Sequence, residues 1–308
     1  MTAAARRRAL PLQQRALLDW YARNGRRLLL RTLRDPYAIW IAETMSQQTQ
    51  ISRVDAALPA FLAAFPDLDR LAAAETGDVL RAWAGLGYHR RALSLRAAAR
   101  RIRVEHRGML PHSRVLLEQL PGLGPYTARA VAATAFGQAV TALDTNSTRV
   151  LARLLGHHPV GPGTRRSLQT LADEMAPEGD SAAWNHALMD LGASVCRTLP
   201  QCHACPLAAW CAYRQAGDTT DARAAAADGG GLSATVSMPA LVPFKDTRRW
   251  ARGRILQRLR EEPVGAWVQL DAAVTGMSDE RLEEAALTLV RDSMIEVDAA
   301  GRVRLPRG

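Results

Sequence analysis

The feature that most limits the fold of this chain is the helical spacing of alanine and leucine over residues 8 to about 215. Segments such as VDAALPAFLAAF and TARAVAATAFG repeat apolar residues three and four positions apart, as one face of an α-helix does. Proline and glycine interrupt the pattern at short intervals, for example in FPDLDR and LPGLGPY. The pattern predicts an all-α fold of short helices joined by tight turns.

A different composition begins at residue 216. Residues 216–235 are poor in bulky apolar side chains and contain three consecutive glycines, which is typical of a linker. Residues 236–308 follow, in which TRRWARGRILQRLREE and SDERLEEAALTLVRDSM predict two amphipathic helices, the second beginning with a Ser/Asp cap. MIEVDAAGRVRLP predicts a hairpin around Ala-Gly, so these residues are expected to form a small winged-helix-like module.

The charge of the chain limits its partners. The formal net charge is +10 and the sequence pI is about 10.4, which favours a polyanion, first nucleic acid and second a membrane surface. Lys245 is the only lysine, so a compositional bias toward arginine also contributes. No run of about 18 apolar residues is present, which excludes a membrane-spanning helix, and the N-terminal segment lacks the apolar core of a secretory signal. We therefore expect a cytoplasmic protein that binds nucleic acid and not a membrane.

All four cysteines of the chain lie within the sixteen residues CRTLPQCHACPLAAWC. In a reducing compartment, clustered cysteines bind metal more often than they form disulfides. Zinc ribbons usually pair two C-x2-C knuckles, whereas the spacing here is C-x5-C-x2-C-x5-C. This tight winding favours a cuboidal iron–sulfur cluster, with zinc as the alternative. The predicted ligands are Cys196, Cys202, Cys205 and Cys211.

A glycine-rich turn between two helices is predicted in LEQLPGLGPYTARAVAATAF, residues 117–136. Glycine lets the backbone approach a ligand closely, and the free amides at the start of the next helix, expected at Thr127, bind anions. A bare G-x-G could be a plain connection, but the full pattern L-P-G-x-G-x-x-T-A is more specific. It resembles the helix-hairpin-helix of DNA repair glycosylases, which grips a backbone phosphate without reading sequence. Gly122, Gly124 and Thr127 are the predicted contacts.

Position 126 separates two mechanisms within that superfamily. In glycosylase/lyases such as endonuclease III, a lysine at this position attacks the sugar, and a Schiff base requires a primary amine. Here the residue is Tyr126, and Lys245 lies beyond the linker. The sequence therefore predicts a monofunctional enzyme.

A candidate general acid lies in RTLRDPYAIWIAETMSQQTQ. Asp35 and Pro36 predict the cap and first residue of a helix from 36 to about 50, with Glu43 and Gln47 on one face. Apolar neighbours favour the protonated form of a carboxylic acid, which suits a general acid, although Glu43 alone would more often be a surface residue. The segment AETMSQQTQ closely resembles the E-x-M-L-Q-Q-T-Q motif of MutY-type adenine DNA glycosylases.

A second carboxylate precedes the helix that is expected to begin near Asn146 in TALDTNSTRVLARLLG. The ordinary role of Asp144 is an N-cap, and a carboxylate bound by helix amides stays ionised. A protonated acid opposite an ionised carboxylate is the pair that glycosidic cleavage uses. The resemblance implies that Glu43 protonates the departing adenine, that Asp144 stabilises the cationic sugar, and that Tyr126 and Asn146 assist.

A base inside a duplex reaches such carboxylates only after it is flipped out of the stack. GLGYHRRALSL places Tyr88 on a glycine-containing loop that suits a wedge, although an ordinary buried tyrosine is the alternative. The resemblance implies that Gln48, Thr49 and Tyr88 contact the opposite strand, and Gln47 belongs to the same predicted DNA-binding set.

The chain departs from the family pattern in three places. The chain has Leu28-Leu29-Leu30-Arg31 where the family usually has L-P-W-R, Ser46 where it has Leu, and His186 where it commonly has Glu or Gln. All three departures fall around the base pocket of the family. The predicted pocket residues are Leu30, Arg31, Ser46 and His186, and the departures leave open which base is excised.

The resemblance covers about residues 10–215 and implies a two-lobed helix-hairpin-helix glycosylase fold. Residues 1–29 and 137–215 would form an iron–sulfur cluster lobe, and residues 30–136 a six-helix barrel with the hairpin, with Glu43 and Asp144 facing across a cleft. LGASVCRTLPQCHACPLAAWC resembles the [4Fe-4S] loop of MutY and endonuclease III, with the first gap one residue shorter. The C-terminal module, 236–308, is too short for the Nudix-like domain of long family members.

Three functions are compatible with the sequence. The first is a monomeric, monofunctional adenine glycosylase that acts on double-stranded DNA with adenine opposite 8-oxoguanine or guanine. The second is a sister glycosylase that removes thymine or uracil opposite guanine. The third is a non-catalytic iron–sulfur DNA-binding protein, against which the presence of both carboxylates argues.

Overall fold

The computed structural model describes residues 3–156, 162–216 and 243–307, and most of these residues are helical. The helices and strands, numbered in chain order, are α1 Ala3–Asn24, α2 Pro36–Ser46, α3 Ile51–Ala64, α4 Leu68–Ala73, α5 Thr76–Ala82, α6 Arg90–Glu105, α7 Arg114–Glu118, α8 Pro125–Phe136, α9 Thr145–Leu155, α10 Pro162–Met175, α11 Ser181–Ser194, α12 Ala212–Gln215, α13 Arg248–Arg260, α14 Ala272–Thr275, α15 Asp279–Arg291, β1 Glu296–Val297 and β2 Val303–Arg304. The predicted all-α fold is confirmed.

The chain divides into two compact units. The first contains, among the described residues, 3–40, 112–119, 123–156 and 162–216. Helix α11 is its centre and packs against both α1 and α9. The side chains that meet there are fully buried: Leu17 of α1, Leu151 of α9, and Trp184 and Leu188 of α11. Burial of such large apolar side chains is the main stabilising term for this unit.

The second unit contains residues 41–111, 120–122 and 243–307 of the described chain. Helix α4 packs on α6, and α5 packs on both α3 and α6. An aromatic group fills the interior, in which Phe61 meets the edge of Trp83 with ring centroids 5.8 Å apart and also contacts Phe65. Phe61 and Trp83 are completely buried, which makes them the anchor of this core.

The C-terminal residues form two longer helices and a hairpin at the predicted places. Helices α13 and α15 pack together and bury Ile255, Leu256 and Leu289. Strands β1 and β2 pair antiparallel, with Val297 opposite Val303. Ser278 occupies the cap position of α15 in an extended conformation, but its side chain makes no capping hydrogen bond. The winged-helix-like character of this module stays a prediction.

The C-terminal module is held on helix α5 of the same unit by hydrogen bonds to backbone atoms. The Gly77 amide donates to the Pro306 carbonyl at 2.9 Å, and the Arg81 guanidinium donates to the Arg260 carbonyl at 2.7 Å. Arg260 in turn donates through Nε to the Leu80 carbonyl at 2.9 Å. These contacts fix the module to the helices that precede the predicted wedge loop.

Two predicted helix boundaries are wrong. Helix α8 begins at Pro125 and not at Thr127, because proline fits the first helical position, where its missing N–H costs nothing. Helix α2 ends at Ser46 and not near residue 50, for a reason given below.

The predicted linker, 216–235, lies outside the described residues from 217 onward. The predicted domain boundaries stay a prediction. Within the described ranges, no helix is both long enough and apolar enough to cross a membrane.

Candidate active site and DNA-binding surface

Glu43 lies in the last turns of helix α2. Asp35 caps the start of this helix as predicted, because its Oδ2 accepts a hydrogen bond from the Ala38 amide at 3.1 Å. Glu43 is half-buried, whereas Ala42 and Met45 beside it are buried. A carboxyl group in this position is accessible to a ligand and still has apolar neighbours, which is the environment expected of a general acid.

Arg91 determines where helix α2 ends. Its Nη1 donates to the carbonyl oxygens of Thr44 at 3.0 Å and Met45 at 2.7 Å, and also to that of Gln47. These carbonyls belong to the end of the helix, where no intrahelical donor is available. Gln48 then has a φ of +54°, a left-handed conformation that cannot continue the helix. The chain therefore leaves the helix at Ser46.

The same guanidinium also binds the loop that carries Tyr88. Nη2 of Arg91 donates to Thr49 Oγ1 at 2.8 Å and to the carbonyls of Leu86 and Gly87, each at 3.2 Å. One half-buried cation thus joins the Gln-Gln-Thr segment to the Gly-Leu-Gly-Tyr segment. Burial lowers the pKa of Arg91 to about 10, so it stays charged at neutral pH. Sequence reasoning missed Arg91, because four of its six partners lie more than 40 positions away and five of the six are backbone carbonyls.

Tyr88 lies at the exposed end of this loop. Its ring is 37% exposed and its φ is +46°, which is uncommon for a bulky residue. The Arg91 guanidinium lies 5.6 Å from the ring centroid. Tyr88 is therefore not the ordinary buried tyrosine that the sequence left open, and its exposure is compatible with a wedge.

Gly122 is placed in the hairpin turn by two constraints. Its φ is +81°, and an added Cβ would lie 2.8 Å from the Cβ of Ser94. Gln47 donates through Nε2 to the Gly122 carbonyl at 3.3 Å, so the turn is linked to the Gln-Gln-Thr segment. Glycine at this position thus allows close packing on Ser94, and the approach of a ligand to the turn stays a prediction.

Gly124 and Pro125 form the start of helix α8. Gly124 is the cap residue in an extended conformation and is exposed, as is Pro125 in the first helical position. Thr127 is buried within the first turn. The exposed N-terminus of α8 presents amides that suit a phosphate.

Asp144 caps helix α9 in a reciprocal arrangement with Ser147. Asp144 Oδ1 accepts from the Ser147 amide and from Ser147 Oγ, both at 2.7 Å, while the Asp144 amide donates to Ser147 Oγ at 2.8 Å. Asn146 donates through Nδ2 to Asp144 Oδ2 at 3.4 Å. Both carboxylate oxygens thus accept hydrogen bonds, which fixes the side chain and suits an anion facing a developing cation.

Arg149 connects Asn146 to the cysteine loop. It donates to Asn146 Oδ1 at 2.8 Å, to the Gly192 carbonyl at 2.7 Å and to the Cys196 carbonyl at 2.8 Å. An added Cβ on Gly192 would lie 2.6 Å from Asn146 Cβ, so glycine is needed for this approach. Sequence reasoning missed Arg149, since two of its three partners, the carbonyls of Gly192 and Cys196, lie more than 40 positions away.

Tyr126 lies in the same unit, in the first turn of α8. Its side chain is half-buried, and its hydroxyl lies 3.6 Å from the Met189 sulfur. No lysine is within this hairpin, since Lys245 is the only one in the chain.

Arg31, one of the predicted pocket residues, pairs with a carboxylate that sequence reasoning missed, Asp190, and His186, another predicted pocket residue, lies one turn before Asp190 on α11. Arg31 forms a bidentate salt bridge with Asp190, with Nη1–Oδ2 and Nη2–Oδ1 distances of 2.7 Å and 2.9 Å. Arg26 Nε donates a further hydrogen bond to Asp190 Oδ1 at 2.6 Å. Burial raises the pKa of Asp190, but hydrogen bonds from Arg31 and from the Arg26 amide outweigh it and hold the pKa below its usual value. Burial, followed by the Arg31 charge, lowers the pKa of His186 to about 4, so this imidazole is neutral at neutral pH.

The other two predicted pocket residues are placed differently. Leu30 is buried in a short 3₁₀ turn before α2. Ser46 lies in the second unit, and its Oγ donates to the Ala42 carbonyl within α2 at 2.7 Å. The hydroxyl of Ser46 is therefore used by its own helix, as serine in a helix commonly is.

The four cysteines line one small cavity together with Arg153 and Tyr213. All four are free thiols. Arg153 Nη1 lies 3.5 Å from Cys196 Sγ and donates to the Arg197 carbonyl at 2.6 Å, which fixes the loop. Burial raises the pKa of Cys205 to about 11. The donor set of four thiols around one cavity fits a cluster with four cysteine ligands.

Comparison with known proteins decides the family. Residues 41–177 match the family described as HhH-GPD superfamily base excision DNA repair protein. An adenine DNA glycosylase of Mycobacterium tuberculosis (strain CDC 1551 / Oshkosh) is 37% identical over 302 residues, which cover 94% of this chain and 92% of the relative. The chain belongs to the adenine DNA glycosylase family. Its predicted membership is thereby confirmed.

Other relatives agree with this assignment. The adenine DNA glycosylase of Mycolicibacterium smegmatis (strain ATCC 700084 / mc(2)155) is 36% identical and covers 94% of each chain. The Homo sapiens adenine DNA glycosylase is 37% identical over 212 residues, covering 65% of this chain and 39% of the relative. The similarity to mycobacterial relatives thus extends through the C-terminal module.

Solved structures confirm the helix-hairpin-helix glycosylase fold. A thermostable thymine-DNA glycosylase superposes with a TM-score of 0.62 and 25% identity, covering 69% of this chain and 99% of that structure. Endonuclease III in a trapped covalent intermediate with DNA superposes with a TM-score of 0.57 and 22% identity, covering 70% and 98%.

Proposed function

We propose that this chain is a monofunctional DNA glycosylase of base excision repair that hydrolyses the N-glycosidic bond of adenine opposite 8-oxoguanine or guanine. The observation that carries the proposal is the 37% identity with an adenine DNA glycosylase over nearly the whole of both chains. The net charge of +10 supports a DNA substrate. Double-stranded DNA with a mismatch or lesion is the proposed partner, and the enzyme is proposed to act as a monomer.

The proposed reaction divides its steps between two carboxyl groups. Glu43 protonates the departing adenine, and the C1′–N9 bond breaks with its electron pair leaving on the base. Asp144 stabilises the positive charge that develops on the sugar, and water then adds at C1′ and loses a proton. Asn146 supports this role of Asp144, because its side-chain amide donates a hydrogen bond to the Asp144 carboxylate. Tyr126 assists at the same sugar. The products are adenine and an abasic site.

The DNA is proposed to be held at two surfaces. The amides at the start of α8, with Gly122, Gly124 and Thr127, bind a backbone phosphate. Gln47, Gln48, Thr49 and Tyr88 contact the opposite strand, and Tyr88 enters the stack beside the flipped base. The hydrogen bonds from Arg91 support this proposal, because they hold Thr49 and the Tyr88 loop together.

A [4Fe-4S] cluster is the proposed cofactor, bound by Cys196, Cys202, Cys205 and Cys211. The thiols share one cavity, yet no group of three or more His, Cys, Asp or Glu side chains in the described residues is arranged around a single metal ion. A four-iron cluster holds its thiolates farther apart than one zinc ion does. When bound, the cluster would stabilise the loop. Thiol ligands of this kind fit a reducing compartment, and we place the protein in the cytoplasm on that ground.

A sister activity on thymine or uracil opposite guanine is the second candidate. Leu30, Ser46 and His186 differ from the pocket residues expected from the resemblance. The 25% identity with a thymine-DNA glycosylase of the same fold also favours it. Tyr126 is compatible with either base.

One assay separates the candidates. Single-turnover base release is measured on duplexes with A:8-oxoguanine, A:G, T:G and U:G, with and without alkali. We expect release of adenine only, with strand cleavage only after alkali. Release from T:G or U:G alone would establish the sister activity. Binding without any release would establish the non-catalytic alternative, and nicking without alkali would contradict the role of Tyr126.

Two further measurements test the site. Glu43→Gln should abolish release and leave DNA binding unchanged, and full activity of this variant would refute the general-acid assignment. Purified protein should contain about four irons per chain and absorb visible light. Stoichiometric zinc without iron would refute the cluster.

A further inference from the structure

The C-terminal module lines an open groove together with the predicted DNA-binding residues of the same unit. One wall carries Gln47, Gln48 and Tyr88. The facing wall is helix α13, which contributes Arg249 and Gly253 among others. The predicted wedge and the module therefore share one surface, although the sequence separates them by about 160 positions.

The groove is strongly basic. Seven arginines and two acidic residues line it. One of the acids, Asp292, is already paired with Arg90 at 2.8 Å and Arg252 at 2.5 Å. Burial, followed by the charges of Arg260, Arg252 and Arg91, lowers the pKa of His89 at this wall to about 3. The excess of positive charge favours binding of a polyanion and disfavours binding of a partner that is cationic or has few acidic groups.

Arg249 joins the module to the wedge residue. Its Nη1 donates to the Tyr88 hydroxyl at 2.7 Å, and its guanidinium carbon lies 4.3 Å from the centroid of the Tyr88 ring. The side chain is exposed, and Phe244 lies 5.5 Å from the same guanidinium. A guanidinium has five donors, so one that holds a tyrosine hydroxyl can also bind a phosphate.

We propose that this groove binds the phosphate backbone of the DNA strand that faces Tyr88, and that the C-terminal module is a second DNA-binding element. DNA is the polyanion that the position of the groove favours, because it is continuous with Gln47, Gln48 and Tyr88. In this respect the inference rests on the proposed function. Arg249 positions Tyr88 and contacts the backbone. The module thereby takes part in binding the opposite strand without a Nudix-like fold.

Gly253 offers a variant that changes the charge of the groove without disturbing the protein. A Cβ added at Gly253 would have no neighbouring atom within 4 Å. Glutamate and glutamine also have a higher helix propensity than glycine, so either substitution within α13 should not destabilise the helix. Gly253→Glu places a carboxylate in the groove, and Gly253→Gln is its neutral control of the same size.

The experiment measures equilibrium binding of each variant by fluorescence anisotropy over a range of salt concentrations. The probe is a labelled duplex with 2′-fluoroadenosine opposite 8-oxoguanine, which resists cleavage. We expect Gly253→Glu to bind about fivefold to tenfold more weakly than Gly253→Gln at about 0.1 M salt, since one phosphate contact changes affinity by nearly a decade there. Arg249→Gln should lower the slope of log K against log salt by about one. Arg291→Gln, on an exposed position of α15 outside the groove, should leave both quantities unchanged.

Equal affinity and equal salt slope for Gly253→Glu and Gly253→Gln would overturn the inference. If circular dichroism shows that Gly253→Glu is unfolded, the Arg249→Gln variant tests the inference instead, because Arg249 is exposed. A wild-type slope of log K against log salt for Arg249→Gln would then overturn the inference. The binding assay needs no base release. Failure of the wild type to release adenine would therefore refute the proposed function while the groove is still tested.

Discussion

Substitution of Arg91 by methionine should destabilise the protein and slow base release together. The guanidinium donates to six acceptors: the carbonyls of Thr44, Met45, Gln47, Leu86 and Gly87 and the hydroxyl of Thr49. Methionine keeps the packing of the stem near Trp83, whose ring centroid lies 5.2 Å from the guanidinium carbon, but supplies no donor. The two segments that the guanidinium connects would then lose their common support.

The expected loss follows from the number of acceptors left without a donor. A buried carbonyl that loses its partner costs about 1–3 kcal/mol, and some of the six can be reached by water after the change. The energy recovered by no longer burying a cation offsets part of the cost. We therefore expect a loss of about 4 kcal/mol in the free energy of unfolding. Single-turnover release should fall as well, since Gln48 and Tyr88 would no longer be held in their left-handed conformations.

Unfolding in guanidinium chloride measures the loss of stability, and the single-turnover assay measures the rate of base release. Arg101→Gln on the same helix is the control, because the pair of Arg101 with Glu105 one turn away is partly exposed, and its loss should cost less than about 0.5 kcal/mol. Arg91→Lys should be intermediate, since an ammonium has three donors and cannot span both loops. A loss below about 1 kcal/mol for Arg91→Met, with an unchanged release rate, would refute this account of the loop.

Three further outcomes follow from the structure. Asp190→Asn should lower the free energy of unfolding by about 3 kcal/mol, because it leaves the buried Arg31 without its anion, and unchanged denaturation would show that the pair is dispensable. The pKa of His186 is about 4 in the folded protein, against an ordinary histidine pKa of 6.5, so the unfolded chain binds the extra proton between these values. Stability should therefore fall by up to about 3 kcal/mol as the pH drops from 6.5 to 4, and a His186→Gln variant with the same pH dependence would exclude this histidine as the cause. Gly122→Ala should cost about 2 kcal/mol and weaken DNA binding, since φ is +81° and the new methyl meets a side-chain carbon at 2.8 Å, whereas Gly124→Ala, with no neighbouring protein atom within 4 Å, should leave the stability of the protein nearly unchanged.

Much of the site could be predicted from local patterns. The caps at Asp35 and Asp144 were predicted correctly because a capping residue binds amides only two or three positions away. The glycine pattern of the hairpin likewise predicted a turn between two helices, in which Gly122 has a φ of +81°. The catalytic and DNA-binding roles of these residues stay predictions until the variants are measured.

The arginines that organise the site could not be predicted. Arg91, Arg149 and Arg249 each bind at least one partner that lies about 40 to 160 positions away, and most of these distant partners are backbone carbonyls or a shared ring. A chain with many arginines gives no local signal that selects three of them. The end of helix α2 was misplaced for the same reason, because Arg91 sets it from outside the segment.

The sequence by itself determined the helical class, the hairpin turn, the N-caps and the composition of the thiol loop, since each depends on neighbours within a few residues. The tertiary structure alone decided which cations meet which carbonyls, that Asp190 is buried between two arginines, and that the C-terminal helix α13 lies against Tyr88. The physical reason is that backbone carbonyls are present at every residue. Only the packing of helices can bring a particular arginine to a particular carbonyl and exclude water from the pair.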